Sequence, residues 1–199
     1  MAKTDKRRRI MRAVEKLFER RDVRRITLDE IAHKARVGKG TLYLYFRDKD
    51  DLFFQTMASG FDELCEALDR KIPDDAPFPE QLLRACTEIN TFFETRFPLF
   101  QMMQTEGARM YWSRPGVRRS WLERRKRLAA ALAVVIRKGV REKGIRDDIP
   151  AETLARVLLG LLRTRGEDLR EGAGSLGRYE TIIDLFRHGA QPRKNKENV

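Results

Sequence analysis

Cysteine and long apolar segments are both scarce in this 199-residue chain. Two cysteines, Cys65 and Cys86, cannot make a disulfide framework, which indicates a reducing compartment such as the cytoplasm. No run of about 18 apolar residues is present, so the sequence predicts no membrane-spanning helix and no membrane partner. The start of the chain is basic and then amphipathic, and we therefore expect no signal peptide.

Groups that could form an active site are also missing from the sequence. His33 and His188 lie in unrelated predicted helices, with no cysteine or carboxylate at the spacing of a metal site. Gly38-Lys39-Gly40 lacks the preceding strand of a phosphate-binding loop. We therefore expect no metal, no cofactor, no catalytic residues and no enzyme activity. Cys65 and Cys86 could form a thiol sensor, although buried and inert cysteines are far commoner.

Positive charge is concentrated near the N-terminus. Residues 1–50 contain 16 Lys and Arg against 8 Asp and Glu, an excess of +8 out of +12 for the whole chain. A basic run in the first predicted helix, residues 5–21, contributes Lys6, Arg7, Arg8, Arg9 and Arg12. This distribution is typical of a domain that docks on the phosphates of DNA, and contact with DNA is favoured over a solvated charged end.

The segment from Thr27 to Phe53 has the pattern of a helix-turn-helix. Thr27 and Glu30 have the spacing of a capping box, which predicts the start of a helix. An apolar face then recurs at helical spacing until the break at Arg36-Val37-Gly38, whose length fits the turn between the two helices. That face consists of Leu28, Ile31, Ala32 and Ala35.

The second helix of the motif is predicted from Lys39 to Phe46, with only Leu42 and Phe46 facing inward. Its outward side chains are Lys39, Gly40, Thr41, Tyr43, Leu44 and Tyr45. Such a surface suits a groove of double-stranded DNA better than water. Asp48 then caps a third helix that has Lys49 in its first turn. A cation at this position opposes the helix dipole, and a phosphate nearby would compensate for that effect.

These residues resemble the N-terminal DNA-binding domain of TetR-type transcriptional regulators. The matching residues are Thr27-Leu28-Asp29-Glu30-Ile31-Ala32, Ala35, Val37, Gly40-Thr41-Leu42-Tyr43, Phe46, Lys49 and Leu52. The resemblance implies phosphate contacts by Thr27, Tyr43 and Lys49. It implies a surface facing base edges at Lys39, Thr41, Leu44 and Tyr45, with Val37, Gly38 and Gly40 completing the predicted DNA-binding set.

The sequence departs from that family pattern at three positions. Arg36 and Gly38 stand where the family often has glycine and serine, which leaves the left-handed turn residue without glycine and the second helix without a side-chain cap. Leu44, often polar or basic in relatives, suggests packing on a thymine methyl group.

The whole chain is predicted to be all-α, with about nine helices. A helix-turn-helix DNA-binding domain at 1–50 precedes a helical effector-binding and dimerisation domain at 51–189 and a disordered tail at 190–199. The later helices are predicted at 49–71, at 79–95, from Pro98, at 115–143 with Gly144 as the stop, at 150–170 and at 179–188.

Large aromatic and methionine side chains are concentrated between residues 92 and 112. In TetR-type proteins the equivalent helices line an effector cavity, which makes these side chains candidates for binding a small molecule. Plain core packing is the alternative for each residue. The candidates are Phe61, Phe92, Phe93, Phe97, Met102, Met103, Met110, Tyr111 and Trp121.

The last two predicted helices carry a broad apolar stripe, which usually marks a partner surface. The resemblance implies that they pair with the same helices of a second subunit, and Gly160 would permit close approach. The alternative is that they only close the core of one subunit. The candidate interface residues are Leu154, Val157, Leu158, Leu161, Ile182 and Phe186.

The sequence thus predicts a homodimeric repressor that binds a palindromic operator and is released by a small-molecule effector. Two other hypotheses stay open: a DNA-binding protein without sequence preference, and a C-terminal bundle that acts as an enzyme or a protein-interaction module.

Overall fold

The computed structural model is helical throughout the residues that it describes, which are 2–18, 25–102, 113–170 and 178–191. Within these ranges there are eight helices and no strand, which confirms the all-α prediction. The helices are α1 (Ala2–Phe18), α2 (Leu28–Ala35), α3 (Lys39–Tyr43), α4 (Lys49–Lys71), α5 (Phe78–Met102), α6 (Pro115–Arg141), α7 (Ala151–Arg170) and α8 (Tyr179–Gly189). None of these helices is both long and apolar enough to cross a membrane.

The chain divides into two compact units. The first consists of Met1–Asp62 and Thr95–Arg124, and the second consists of Glu63–Glu94 and Arg125–Val199. Helices α4, α5 and α6 therefore each contribute residues to both units. The functional division after residue 50 and the tail at 190–199 stay predictions, and residues 192–199 lie outside the described residues.

The core of the first unit includes the apolar faces that the sequence pattern indicated for α2 and α3, except that Leu28 is half-buried. Ile10 and Val14 of α1 are fully buried, as are Ile31 of α2 and Leu42 of α3. Full burial of one such side chain contributes about 1.5–3 kcal/mol, so the core fixes how the short helices pack. The other large core residues of this unit are Ile26, Phe46, Leu52, Phe53, Met57 and Phe61.

The second unit has its own core, to which the C-terminal part of α4 and helices α5 to α8 contribute. Leu82 and Ile89 of α5 and Leu132 and Ile136 of α6 have no accessible surface. Helices α7 and α8 cover this core through a buried stripe on one side of each helix. The stripe consists of Leu154, Leu158, Leu162, Ile182 and Phe186.

Besides the start of α1, which lies at Ala2 and not at residue 5, three predicted helix boundaries were wrong. Helix α3 ends at Tyr43 and not at Phe46, because Tyr45 and Phe46 both donate to the carbonyl of Leu42 and close a tight turn. Helix α5 continues through Pro98 to Met102, where the sequence predicted a new helix. A proline removes one backbone donor, and extending a long helix without that bond costs less than nucleating a second one.

The third wrong boundary concerns Gly144, which was the predicted stop of α6. The left-handed residue is Lys143, with φ of 58°. The amide of Lys143 donates to the carbonyl of Val140, and the amide of Gly144 donates to that of Gly139. This bond pattern is a Schellman motif, whose left-handed position lies one residue before Gly144.

Gly139 is the glycine on which packing in the second unit depends most. A Cβ atom there would lie 2.7 Å from the ring of Phe78 and 2.8 Å from Cγ1 of Ile145, and both neighbours are buried. A methyl group at this position would therefore overlap with two core side chains.

We expect Gly139→Ala to lower the free energy of unfolding by about 1–3 kcal/mol, because overpacking forces the core to shift. Urea denaturation followed by circular dichroism measures the change. Gly116→Ala is the matched control on α6, since nothing lies within 4 Å of a Cβ there. An unchanged midpoint for Gly139→Ala would contradict the packing described.

Candidate nucleic-acid interface

The start of α2 is fixed by the capping box that the sequence predicted. The amide of Glu30 donates to Oγ1 of Thr27 over 3.2 Å, and the amide of Thr27 donates to Oε2 of Glu30 over 2.8 Å. Two backbone donors that the helix itself cannot satisfy are paired in this way. Thr27 remains exposed at the helix start, where a phosphate contact is sterically open.

The turn between α2 and α3 is a second Schellman motif, with Arg36 as its left-handed residue at φ 53°. The amide of Arg36 donates to the carbonyl of His33, and the amide of Val37 donates to that of Ala32. The geometry favours glycine at Arg36, because a Cβ atom crowds the following carbonyl in this conformation. The predicted departure from the family pattern is therefore a real local cost.

Helix α3 presents most of its side chains outward, as the sequence predicted. Leu42 is 1% exposed and anchors the helix, whereas Tyr43 is 53% and Leu44 is 76% exposed. Gly38, at the start of α3, provides no side-chain cap. We call the predicted outward set the recognition surface. It consists of the exposed residues Lys39, Gly40, Tyr43 and Leu44 and of Thr41 and Tyr45, which are half-buried.

One end of the recognition surface carries an ion pair. Nζ of Lys39 lies 2.8 Å from Oδ2 of Asp29 in the first turn of α2, and both side chains are more than half exposed. The hydrogen bond to Asp29 raises the pKa of the Lys39 ammonium, which is charged at neutral pH. Exposed pairs of this kind exchange readily with water, so Lys39 can leave Asp29 for another partner.

Lys49 occupies the first turn of α4, next to the recognition surface. Asp48 caps that helix by accepting from the amide of Asp51 over 2.7 Å, which agrees with the predicted cap. Nζ of Lys49 lies 5.4 Å from the ring centroid of Phe53, and partial burial lowers the pKa of Lys49. The same surroundings raise the pKa of Asp50, through burial first and the charge of Asp48 second.

Two arginines of the basic run in α1 have partners within the chain. Nη2 of Arg9 donates to the carbonyls of Ala35 and Arg36, and Nη2 of Arg7 donates to Oε1 of Gln55. The sequence pattern did not indicate these contacts, which join residues far apart in the chain. Lys6, Arg8 and Arg12 are exposed.

The candidate effector residues fall into three groups. In the first unit, buried Phe61 meets half-buried Trp121 edge to face, with ring centroids 4.7 Å apart. In the second unit, Phe92 and Phe93 are buried, with ring centroids 5.5 Å apart. Candidates that lie outside the described residues, or whose side chains do, are Phe97, Met102, Met103, Met110 and Tyr111.

The candidate interface residues of α7 and α8 divide by burial. Leu154, Leu158, Ile182 and Phe186 are buried in the core of the second unit. Val157 is 51% exposed and Leu161 is half-buried. Leu185 of α8 is 59% exposed and was absent from the predicted set, because periodicity alone does not separate a core face from an adjacent outer face.

The described residues contain no group of three or more metal-ligating side chains. Cys65 and Cys86 are both buried, and burial raises the pKa of the Cys86 thiol to about 12. A thiol of this pKa is almost entirely protonated at neutral pH, which disfavours the thiol-sensor hypothesis for Cys86.

Comparison with known proteins agrees with this geometry. Residues 10–56 match the profile described as "Bacterial regulatory proteins, tetR family". The HTH-type transcriptional regulator YhgD of Bacillus subtilis is 32% identical over 91 residues, which are 46% of this chain and 48% of YhgD. The chain thus matches about half the length of that relative.

A longer but weaker match extends over both units. The HTH-type transcriptional repressor Rv1474c of Mycobacterium tuberculosis is 25% identical over 189 residues, covering 89% of this chain and 92% of the repressor.

Solved structures share the fold at low sequence identity. The transcriptional regulator FadR from Bacillus subtilis, in complex with stearoyl-CoA, has a TM-score of 0.69 and 17% identity. That likeness covers 92% of this chain and 99% of FadR. A TetR-family regulator from Haemophilus influenzae has a TM-score of 0.62 and 19% identity, over 96% and 99% of the two chains.

The fold and the exposed recognition surface define an all-helical helix-turn-helix transcriptional regulator. The profile match makes the family specific for residues 10–56, whose sequence is that of the tetR family of bacterial regulatory proteins, and the described helices have the fold of TetR-family structures.

Proposed function

We propose that this chain is a cytoplasmic homodimeric repressor that binds a palindromic operator and leaves it when a small molecule occupies the C-terminal domain. The observation that carries the DNA-binding part is the recognition surface. Leu44 is 76% exposed although it is aliphatic, while Leu42 and Phe46 beside it are buried. A major groove accepts an α-helix, and an exposed aliphatic side chain can pack there on a thymine methyl group.

The glycines of the recognition surface support the same proposal. A Cβ atom at Gly40 would meet nothing within 4 Å of the chain, and one at Gly38 would meet only Oγ1 of Thr41 at 3.9 Å. A glycine within a helix costs about 1 kcal/mol relative to alanine. No neighbour within the described residues requires that cost at Gly40, whereas close approach of a DNA backbone would.

The side chains around the motif divide into two roles in this proposal. Thr27, Tyr43 and Lys49 bind phosphates, and Lys39, Thr41, Leu44 and Tyr45 face base edges. The physical argument for a phosphate contact is strongest for Lys49, because its cation opposes the dipole of α4 and burial lowers its pKa. A phosphate beside it would compensate for both effects.

We expect Tyr43→Ala and Lys49→Ala to weaken binding to every duplex, and to reduce the slope of log affinity against log salt by about 1 for the lysine. We expect Lys39→Ala and Thr41→Ala chiefly to change which base is preferred, by about 1–3 kcal/mol at one position. The measurement is fluorescence anisotropy on an operator selected from random duplexes, repeated on single-base variants.

Lys71→Ala is the matched control, because Lys71 pairs with Glu88 in the second unit. It should leave operator binding unchanged. An equal loss from all four test variants on all duplexes would contradict the division of roles. If no selected operator binds more tightly than bulk duplex, the result would instead support a DNA-binding protein without sequence preference.

The outer faces of α7 and α8 are the proposed dimer surface. Val157 and Leu185 are exposed apolar residues on these two helices, and a Cβ atom at Gly160 would meet nothing within 4 Å. Leu154, Leu158, Ile182 and Phe186 lie behind them and support this face from the core of the second unit. Two-fold symmetry would then place the two recognition surfaces about one helical turn of DNA apart.

We expect Val157→Glu or Leu185→Glu to convert a dimer into a monomer of 23.3 kDa, as measured by light scattering during size-exclusion chromatography. An unpaired carboxylate in an apolar interface costs at least about 3 kcal/mol, which is more than a hundredfold in dissociation constant. Val134→Glu is the matched control on α6, since Val134 is equally exposed. A wild-type protein that is monomeric at all concentrations would refute the dimer.

The proposed effector is a small molecule with a long apolar part. The edge contact between Phe61 and Trp121 lies in the same unit as the recognition surface, so a ligand at these rings can act on the DNA-binding helices. The structure of FadR from Bacillus subtilis holds stearoyl-CoA, which makes this compound the first probe. An effector releases DNA when it binds more tightly to a dimer whose recognition surfaces have the wrong separation.

We expect stearoyl-CoA to raise the melting temperature and to change the fluorescence of Trp121, whereas coenzyme A alone should do neither. Stabilisation reaches about 2.7 kcal/mol at a ligand concentration a hundred times the dissociation constant. Because the chain has two tryptophans, a Trp112→Phe variant isolates the signal of Trp121. Stabilisation without a change in that signal would contradict the proposed position of the ligand.

A further inference from the structure

The guanidinium of Arg9 lies at the turn that precedes the recognition surface. It donates to the carbonyl of Ala35 over 2.8 Å and to that of Arg36 over 3.2 Å. The Schellman bonds of this turn already use the carbonyls of Ala32 and His33. Carbonyls at the end of a helix lack partners within the helix, and a cation there also opposes the negative end of the dipole. Arg9 therefore stabilises the left-handed residue Arg36 from outside the motif.

Arg7, two residues earlier on α1, lies at the other end of the recognition surface. Its Nη2 donates to Oε1 of Gln55, and its Cζ lies 5.8 Å from the ring centroid of Phe46. Nε2 of Gln55 in turn donates to Oδ1 of buried Asp51 over 2.9 Å. Oδ2 of Asp51 accepts from the amide of Arg47 over 2.9 Å. Arg7 is thereby connected to the residues that follow α3.

Helix α3 has little internal means of keeping its orientation. It has five residues and no side-chain cap, and an isolated helix of this length is not stable in water. Leu42 holds its inner side, but one buried side chain leaves the two ends of the helix undetermined. The contacts of Arg9 and Arg7 fall on the residues that flank α3, because Arg9 donates to the carbonyls of Ala35 and Arg36 before it and Arg7 lies over the ring of Phe46 after it.

We propose that Arg7 and Arg9 are positioning residues for DNA recognition, which act by fixing the two ends of α3 and not by binding phosphates. This proposal rests on the proposed function, because it assigns α3 the task of meeting the bases. Arg8, which lies between them in the sequence and is exposed, is then the arginine available to phosphate. The three residues make a test and a matched control within one helical turn.

The first experiment needs no DNA. Amide hydrogen exchange of the full-length protein, resolved by NMR, measures opening at each end of α3. We expect Arg9→Ala to speed exchange at Val37, whose amide donates to Ala32, by about tenfold. Arg7→Ala should do the same at Arg47, whose amide donates to Asp51. Each variant should leave the other amide unchanged, and Arg8→Ala should leave both unchanged.

The second experiment uses the selected operator. We expect Arg9→Ala and Arg7→Ala to reduce the ratio of operator affinity to bulk-duplex affinity by about tenfold at fixed salt, a factor matching one hydrogen bond from a charged group. Arg8→Ala should lower both affinities equally and reduce the salt slope by about 1. A phosphate-binding role for Arg9 would give the Arg8 pattern and would overturn the proposal.

A second substitution that restores the Arg9→Ala variant would distinguish a positioning role of Arg9 from other causes of lost affinity. Glycine adopts the left-handed conformation without the energetic cost that Arg36 has. The double variant with Arg9→Ala and Arg36→Gly should therefore regain the slow exchange of the Val37 amide and the ratio of operator affinity to bulk-duplex affinity. Arg36→Gly should not rescue Arg7→Ala, which acts at the other end. Absence of rescue in the Arg9 variant would overturn the role of Arg9. If no specific operator exists, the proposed function fails, while the exchange rates still decide whether the two arginines fix α3.

Discussion

The proposed recognition of DNA depends on keeping a five-residue helix in one orientation while most of its side chains face outward. Backbone bonds cannot do this, since nucleation alone makes so short a helix unstable. Leu42, which is buried, fixes its inner side against the core of the first unit, and buried Phe46 anchors the turn that follows the helix. The remaining freedom is removed at the ends by hydrogen bonds from arginines of α1 to the turn and to the Gln55–Asp51 pair. The orientation of the recognition surface is therefore a tertiary property.

Partly buried ion pairs connect α1 and α4 to the rest of the first unit. Arg96 of α5 donates to Oε1 of Glu15 on α1 over 2.5 Å, and both side chains are largely buried. Its guanidinium packs on Gly60 of α4, where a Cβ atom would lie 2.5 Å from Nε. Arg124 of α6 makes a similar pair with Asp62 of α4 over 3.1 Å. Partly buried pairs are lost at high cost once one partner moves, so displacements of α5 or α6 can be transmitted to α1 and α4.

The sequence allowed prediction of features whose cause is local. The capping box at Thr27 and Glu30, the cap at Asp48 and the buried faces of α2 and α3 all follow from spacing over a few residues, and the structure has each of them. Contacts over long sequence separations were not predictable. Arg9 meets Ala35 across 26 residues, and nothing in a basic run distinguishes that arginine from Arg8. The predictions of a new helix at Pro98 and of a helix stop at Gly144 were wrong for another reason. Proline and glycine each permit a helix to end without requiring it to end.

The local costs in the first unit are not scattered. Arg36 is left-handed without being glycine, Gly40 lies in a helix with open space around it, Leu44 is exposed, and Lys49 is a partly buried cation at a helix N-terminus. Each lowers stability in the isolated chain, and three of the four would be compensated by one partner with phosphates and apolar base edges. The fourth, Arg36, is compensated within the chain by Arg9. Departures from local preference that cluster on one surface indicate a binding site, because packing elsewhere gives no reason for them.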